Sequence, residues 1–187
     1  MKHGAWLLLT LALALAGGCP SRTAPVAPAA TAPPRSAGPC GVAAVDQTVA
    51  DFSFTTLAGE KKQLSSLRGK VVIADFWAML CLGCVEGLQS YQADPELLNN
   101  PKVAILALCT DRSEPAVRGF VKQHGWTFPV VLASDPIRAA LGVTGQVVLP
   151  QARILDAQGR LRYVLGPDRA TPEVVKCLVQ QLLGEKK

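Results

Sequence analysis

Histidine is scarce in this chain of 187 residues: only His3 and His124 occur. That leaves little material for a His-built metal site or a Ser-His-Asp triad. Aromatic residues make up 5%, too few for a platform that stacks single-stranded bases. Charged residues are 18% and the net charge is only +5, whereas a nucleic-acid binder carries a concentrated basic face. Lys2, Arg22 and Arg35 precede the last 147 residues, so residues 41–187 hold 16 basic and 14 acidic side chains. No nucleic-acid partner is expected. A membrane-spanning run is missing too: the apolar stretch from Ala5 to Ala16 has 12 residues, where a helix needs about 20. What remains is 49% hydrophobic, enough for one globular domain that is stable without disulfide staples, plus an appendage. Six cysteines are too few for a disulfide scaffold of this length, so each needs its own assignment.

The chain opens with Met1-Lys2-His3 and then the short apolar run, the shape of a secretory signal peptide over residues 1–18. Ala14-Leu15-Ala16 fits an A-x-A cleavage site, which would release a soluble exported protein. Leu15-Ala16-Gly17-Gly18-Cys19 resembles a bacterial lipobox, and the expected outcome is lipidation at Cys19. Residues 20–39 hold six prolines and six alanines with no helical period. With Cys19 and Cys40 they read as a disordered tether, residues 19–40, holding a domain off a membrane surface.

From residue 41 the pattern is that of one α/β domain, residues 41–187. DFSFTTLAGEKKQLSSL alternates polar and apolar around Ala58-Gly59, as a β-hairpin does. VVIADFW, Val71 to Trp77, is a strand buried on both faces, and Val103 to Leu108 is a second. A helix is predicted from Cys81 towards Tyr91, and another from Ser113-Glu114-Pro115 to His124, with Ser113 as N-cap and His124 in a capping turn. Phe128 to Leu132 is a third strand, and Asp135-Pro136 starts a short helix ending at Gly142. Residues 152–155 and 161–165 form a hairpin around Ala157-Gln158-Gly159. Thr171 caps a final helix whose apolar stripe is Val174, Val175, Leu178 and Leu182. Alternating strands and helices closed by a hairpin and helix imply a mixed central sheet with helices on both faces.

The chemistry lies in Cys81-Leu82-Gly83-Cys84, set directly between a buried strand and a helix. One helical turn brings two such cysteines within disulfide distance. At the helix N-terminus, free N–H groups and the macrodipole favour a thiolate at Cys81. Cys84, one turn deeper, is placed to be the resolving thiol that attacks a mixed disulfide. No second Cys pair or suitably spaced His completes a zinc site, so neither a metal nor a bound cofactor is expected. The Cys81–Cys84 disulfide would itself carry the electrons.

From about Val49 onward the sequence resembles the thioredoxin superfamily, most closely the exported TlpA/ResA-type thiol:disulfide oxidoreductases with an AhpC/TSA redoxin-like domain. VVIADFWAMLCLGC is similar to the family's strand-Phe-Trp-Ala-x-x-Cys-x-x-Cys block, and DFSFTTLAGEKKQLSSLRGK to its extra N-terminal hairpin. GVTG followed by PQARILDAQGR is similar to the segment around the family's cis-proline. Pro150 comes three residues later after Gly145 than is usual, Leu80 replaces a common Trp, and Leu-Gly is an unusual inter-cysteine pair. The resemblance implies a thioredoxin-like fold. It also implies a cis peptide after Leu149 that faces the disulfide, and an Asp75 carboxylate that accepts the Cys84 proton. Burial would raise the Asp75 pKa and suit it to that work; a carboxylate reaching solvent from the strand end is the alternative. Trp77 is expected either to shape the substrate groove with Leu149 and Pro150 or to be a core aromatic.

Cys109 and Cys177 read as buried inert thiols, with a Cys109–Cys177 bridge as the alternative, and Cys40 as paired or free. The leading function is thus an exported, lipid-anchored reductant of extracytoplasmic protein disulfides in cell redox homeostasis. It would lie on the periplasmic or outer face of a bacterial membrane and draw electrons from a membrane donor. Apocytochromes, as in cytochrome c maturation, are among the substrates the resemblance implies. The competing class is a non-enzymatic Cu(I) carrier; the distal His such relatives use is not evident. Peroxide reduction ranks below both, since the Pro-x-x-x-Thr-x-x-Cys pattern is absent.

Overall fold

A computed structural model of the chain describes residue 38 and residues 40–185. The expected signal peptide, the expected lipidation position Cys19 and nearly all of the expected tether lie outside the described residues. Among those described, no helix is long and apolar enough to cross a membrane.

The strands are β1 (Gln47–Thr48), β2 (Ser53–Thr55), β3 (Lys61–Gln63), β4 (Val71–Trp77), β5 (Val103–Cys109), β6 (Val130–Leu132), β7 (Gln151–Leu155) and β8 (Arg160–Leu165). The helices are α1 (Leu82–Ala93), α2 (Pro95–Leu98), α3 (Glu114–His124), α4 (Asp135–Ala140) and α5 (Pro172–Gly184), with a 3-10 turn over Leu64–Leu67. Six strands form one mixed sheet in the order β1-β8-β7-β4-β5-β6. β4, β5 and β6 run parallel, while β7 is antiparallel to β4. The mixed thioredoxin-like sheet and the extra hairpin, here β2–β3, are both present.

β4 is the hinge of the design because every one of its seven residues is buried. Side chains alternate along a strand, so Val71, Ile73, Asp75 and Trp77 face one side and Val72, Ala74 and Phe76 the other. The first set packs with Leu88 and Tyr91 of α1, Val117 of α3 and Val175, Leu178 and Val179 of α5. The second meets Phe54 of the hairpin, Leu64 and Ile137 of α4. Each such fully buried aliphatic side chain stabilises the fold by about 1.5–3 kcal/mol relative to exposure.

The helix limits follow local chemistry. Asp94 breaks away before Pro95 and its carboxylate accepts from the Glu96 N–H at 2.9 Å, capping α2. Gly125, with φ of 65°, takes the left-handed position that ends α3, and the Thr171 hydroxyl accepts from Val174 N–H at the start of α5. Ser113 stands at the N-cap of α3 without a side-chain cap bond. The third strand begins at Val130 rather than Phe128, since Pro129 has no N–H to give a ladder. On α5 the fully buried set is Val175, Leu178, Val179 and Leu182; Val174 is only half-buried.

Cys177 is neither an inert thiol nor bonded to Cys109: it closes a disulfide with Cys40, their Cα atoms 6.0 Å apart. The Arg169 guanidinium draws the entering chain to α5, donating to the Cys40 and Gly41 carbonyls at 3.0 and 2.8 Å. Cys109 stays a buried free thiol at the end of β5. The Cys40–Cys177 bond spans 137 residues, so it removes much denatured-state freedom. Replacing both cysteines with serine should destabilise the domain by about 2–4 kcal/mol in a denaturant titration. An unchanged midpoint and slope would show the bond to be structurally idle.

Candidate active site

The loop Ala78–Leu80 leaves the C-terminal end of β4 and delivers Cys81 as the N-cap of α1. Its shape is held from β5. Trp77 pairs with Cys109 in the parallel register, and its carbonyl accepts from Thr110 N–H at 2.9 Å and Thr110 Oγ1 at 3.1 Å. The Asp111 carboxylate accepts from Met79 N–H at 2.7 Å and from the Cys109 thiol at 3.4 Å. Burial pushes the Cys109 thiol up to about 12, so it stays protonated and donates.

Cys81 and Cys84 are joined, with S–S 2.07 Å and Cα atoms 5.3 Å apart. Cys81 is half-buried, Cys84 is 3% exposed, and Cys81 Sγ accepts from the Cys84 N–H at 3.3 Å. When the bond opens, the same N–H faces charge on Cys81. One sulfur can be attacked or attack from solvent, and the other cannot.

Asp75 sits one residue pair back along β4 from Trp77, on the face covered by α1. It is 5% exposed, and burial raises its pKa to about 7, against the opposing pull of the Tyr91 hydroxyl that donates to it at 2.9 Å. Tyr91 lies on the same buried stripe of α1 as Cys84 and Leu88. Helical side chains lean towards the N-terminus, so Tyr91 reaches back from its own turn towards the disulfide end. Tyr91 escaped the sequence reading, although Cys84, Leu88 and Tyr91 follow the i, i+4, i+7 spacing of one helix face. Asp111 escaped it as well; its signal was a carboxylate just beyond a buried strand at the edge where the active loop begins.

Leu149–Pro150 is a cis peptide bond. Because β7 runs antiparallel to β4 with Gln151 opposite Phe76, Pro150 falls beside Trp77, next to the loop that carries Cys81. Trp77 does not shape a substrate groove. It is wholly buried, its ring 5.0 Å from Trp126 and 5.7 Å from Phe120, so it is the core aromatic of the two alternatives. The large exposed apolar groups nearby in sequence are Leu80 and Leu82, 97% and 72% exposed on either side of Cys81, while Val148, two residues before Pro150, is 63% exposed. A surface hollow between the β2–β3 hairpin and α3 is lined by neither cysteine. Disulfide exchange needs an accessible sulfur, which an enclosing pocket would hide.

A thioredoxin-like sheet with a Cys-x-x-Cys disulfide capping α1 defines a thiol–disulfide oxidoreductase. The chain belongs to the AhpC/TSA family, which matches residues 45–164. Thioredoxin-like protein YneN of Bacillus subtilis is 34% identical over 127 residues, covering 63% of this chain and 69% of that protein. Thiol-disulfide oxidoreductase ResA of Bacillus anthracis is 32% identical over 111 residues, or 59% of this chain and 63% of ResA. The chain therefore spans less than two thirds of that relative. Among solved structures, a thioredoxin-family thiol:disulfide interchange protein from Chlorobium tepidum superposes with a TM-score of 0.65 at 22% identity. It covers 75% of this chain and 98% of that one. A secreted thiol-disulfide isomerase from Corynebacterium glutamicum gives 0.65 at 24%, covering 75% and 87%. At these identities the two structures speak for the fold.

Proposed function

We propose that this chain reduces disulfides of extracytoplasmic proteins, with Cys81 as nucleophile, Cys84 as resolving thiol and Asp75 as the base that serves Cys84. The observation that carries the reading is the asymmetric disulfide at the α1 N-cap, one sulfur half-exposed and the other buried. The Cys81 thiolate attacks a substrate disulfide, forming a mixed disulfide and expelling one substrate thiolate. The Asp75 carboxylate then takes the Cys84 proton, and the Cys84 thiolate attacks Cys81 Sγ. The second substrate thiolate leaves, two electrons have passed to the substrate, and Cys81–Cys84 is closed. Re-reduction requires a dithiol donor, placed at the membrane. The pair itself is the electron carrier, with no bound cofactor.

The exposed Leu80, Leu82 and Val148 suit a polypeptide substrate better than a small charged thiol, because they bury apolar surface only against a chain. Leu149 and Pro150 form the backbone edge against which that chain lies. The apolar leader supports export and the Cys19 lipobox supports a lipid anchor; the similar thiol-disulfide isomerase of Corynebacterium glutamicum is a secreted protein, in keeping with export. Apocytochromes are one candidate class of substrate thiol.

The test is insulin-disulfide reduction by the full chain with a dithiol donor, run beside an equilibrium titration against glutathione. Catalytic turnover with a two-electron midpoint is expected. Stoichiometric Cu(I) retention without turnover would favour the metal carrier, and peroxide consumption outpacing insulin reduction would favour a peroxidase.

A further inference from the structure

Arg153 lies on β7, paired with Ala74, and therefore points to the face away from Asp75 and α1. It is 6% exposed, and among the described residues it forms no ion pair; burial lowers its pKa. A buried guanidinium without a carboxylate is costly unless its donors are used. Here they are used on backbone and amide groups around one loop. Nε donates to the Leu141 carbonyl at 3.0 Å, where α4 ends. One terminal nitrogen donates to the Ala152 carbonyl at 3.2 Å, and the other to Gln151 Oε1 at 2.8 Å. The guanidinium carbon also stands 6.0 Å from the Phe76 ring centroid.

The contacts continue. Gln151 Nε2 donates to the Val148 carbonyl at 2.8 Å, so the amide of Gln151 is oriented by Arg153 and in turn holds Val148. At the other end of the loop, Arg138 of α4 donates to the Gly145 carbonyl. The segment between α4 and β7 has no ladder of its own, yet it carries Val148, Leu149 and the cis Pro150 to the end of β4 from which the Cys81 loop departs. Among the described residues the N–H and C=O of Leu149 find no partner, leaving that peptide edge free for an extended chain.

We propose that Arg153, acting through Gln151, is the positioning residue that holds the Val148–Pro150 edge in register with Cys81 for polypeptide substrates. The inference rests on the disulfide-exchange reading above for its substrate, while the brace itself is independent of turnover. A planar fork with several fixed donors is what the three acceptors require; a lysine ammonium cannot meet all of them at once. Arg153 touches no reacting atom, so its loss acts on substrate alignment and leaves the chemistry of the sulfurs alone.

The experiment compares the full chain with R153K, R153M and Q151A. Backbone nitrogen order parameters at Val147, Val148 and Leu149 should fall below about 0.6 in R153M and Q151A, with β4 and β5 unchanged. In R153K the fall should be smaller. KM for insulin should increase about tenfold while kcat, the rate with a small aromatic disulfide, and the glutathione equilibrium stay at the wild-type value. Unchanged order parameters in Q151A and R153K would overturn the brace, even if R153M failed to fold. Lowered order parameters with an unchanged insulin KM, or equal losses on insulin and the small disulfide, would overturn the positioning role. Wild-type protein that turns over neither substrate would overturn the oxidoreductase mechanism, and the relaxation data would still decide the brace.

Discussion

Cys81→Ser is expected to lower insulin-disulfide reduction on the order of 1000-fold or more, to the level of uncatalysed exchange. Cys84→Ser should instead stop the reaction one step later, with substrate held on Cys81. The difference follows from exposure: Cys81 is half-buried and caps α1, so its sulfur can meet a substrate disulfide, whereas Cys84 is 3% exposed. Non-reducing mass spectrometry after mixing each variant with an oxidised peptide separates the two. A mixed disulfide should accumulate on Cys84→Ser and be absent from Cys81→Ser. Should the adduct form on Cys84 instead, the assigned roles are reversed; reduction that survives both substitutions removes the pair from the mechanism.

Asp75→Asn should have the second largest effect, and it should act on rate and stability in opposite directions. With the carboxyl raised to about 7 by burial, its basic form predominates only above neutrality. The rate of release from the mixed disulfide should climb through about pH 7 and level off. The Asn variant should lose that inflection and slow the step on the order of 100-fold. Asn can still accept the Tyr91 hydrogen bond, so the geometry of α1 is kept.

Stability responds through the same pKa. Between 3.8 and about 7 the folded, oxidised protein binds a proton at Asp75 that the unfolded chain has already released. Unfolded chain therefore binds fewer protons, and the contribution of Asp75 to stability falls as pH rises through this window, then stays low above it. The Asn variant escapes the loss and should be the more stable protein at pH 8, by up to about 4 kcal/mol. Subtracting the two denaturation curves at each pH isolates Asp75 from other carboxylates. A difference that does not grow between pH 4 and 7 would mean Asp75 is ionised and solvated in the folded state.

The local features could be read without coordinates. VVIADFW is apolar but for Asp75, the mark of a doubly buried strand, and the strand runs from Val71 to Trp77 as expected. A Cys-x-x-Cys after such a strand falls at a helix start because the chain must turn there, and Cys81 is the N-cap. Thr171, Gly125 and Pro95 each act on their nearest neighbours through one hydrogen bond or one forbidden backbone angle. Such effects span four or five residues, so the primary structure states them directly.

Tertiary structure alone decided the long-range partners. Cys40 met Cys177 because Arg169 holds the incoming chain beside α5, and residues 137 positions apart carry no mutual signal. Tyr91 became the partner of Asp75 because side-chain alternation sends odd-numbered β4 residues towards α1. Trp77 became core because α3 and the Trp126–Phe128 segment close over the same face. Nothing in the sequence marks Arg153 for burial; pairing with Ala74 turns it inward beneath the cis-proline loop. Composition and spacing thus determined which side chains could react. Strand register, which one residue of slip would reverse, decided which of them are accessible, which are buried, and what holds each in place.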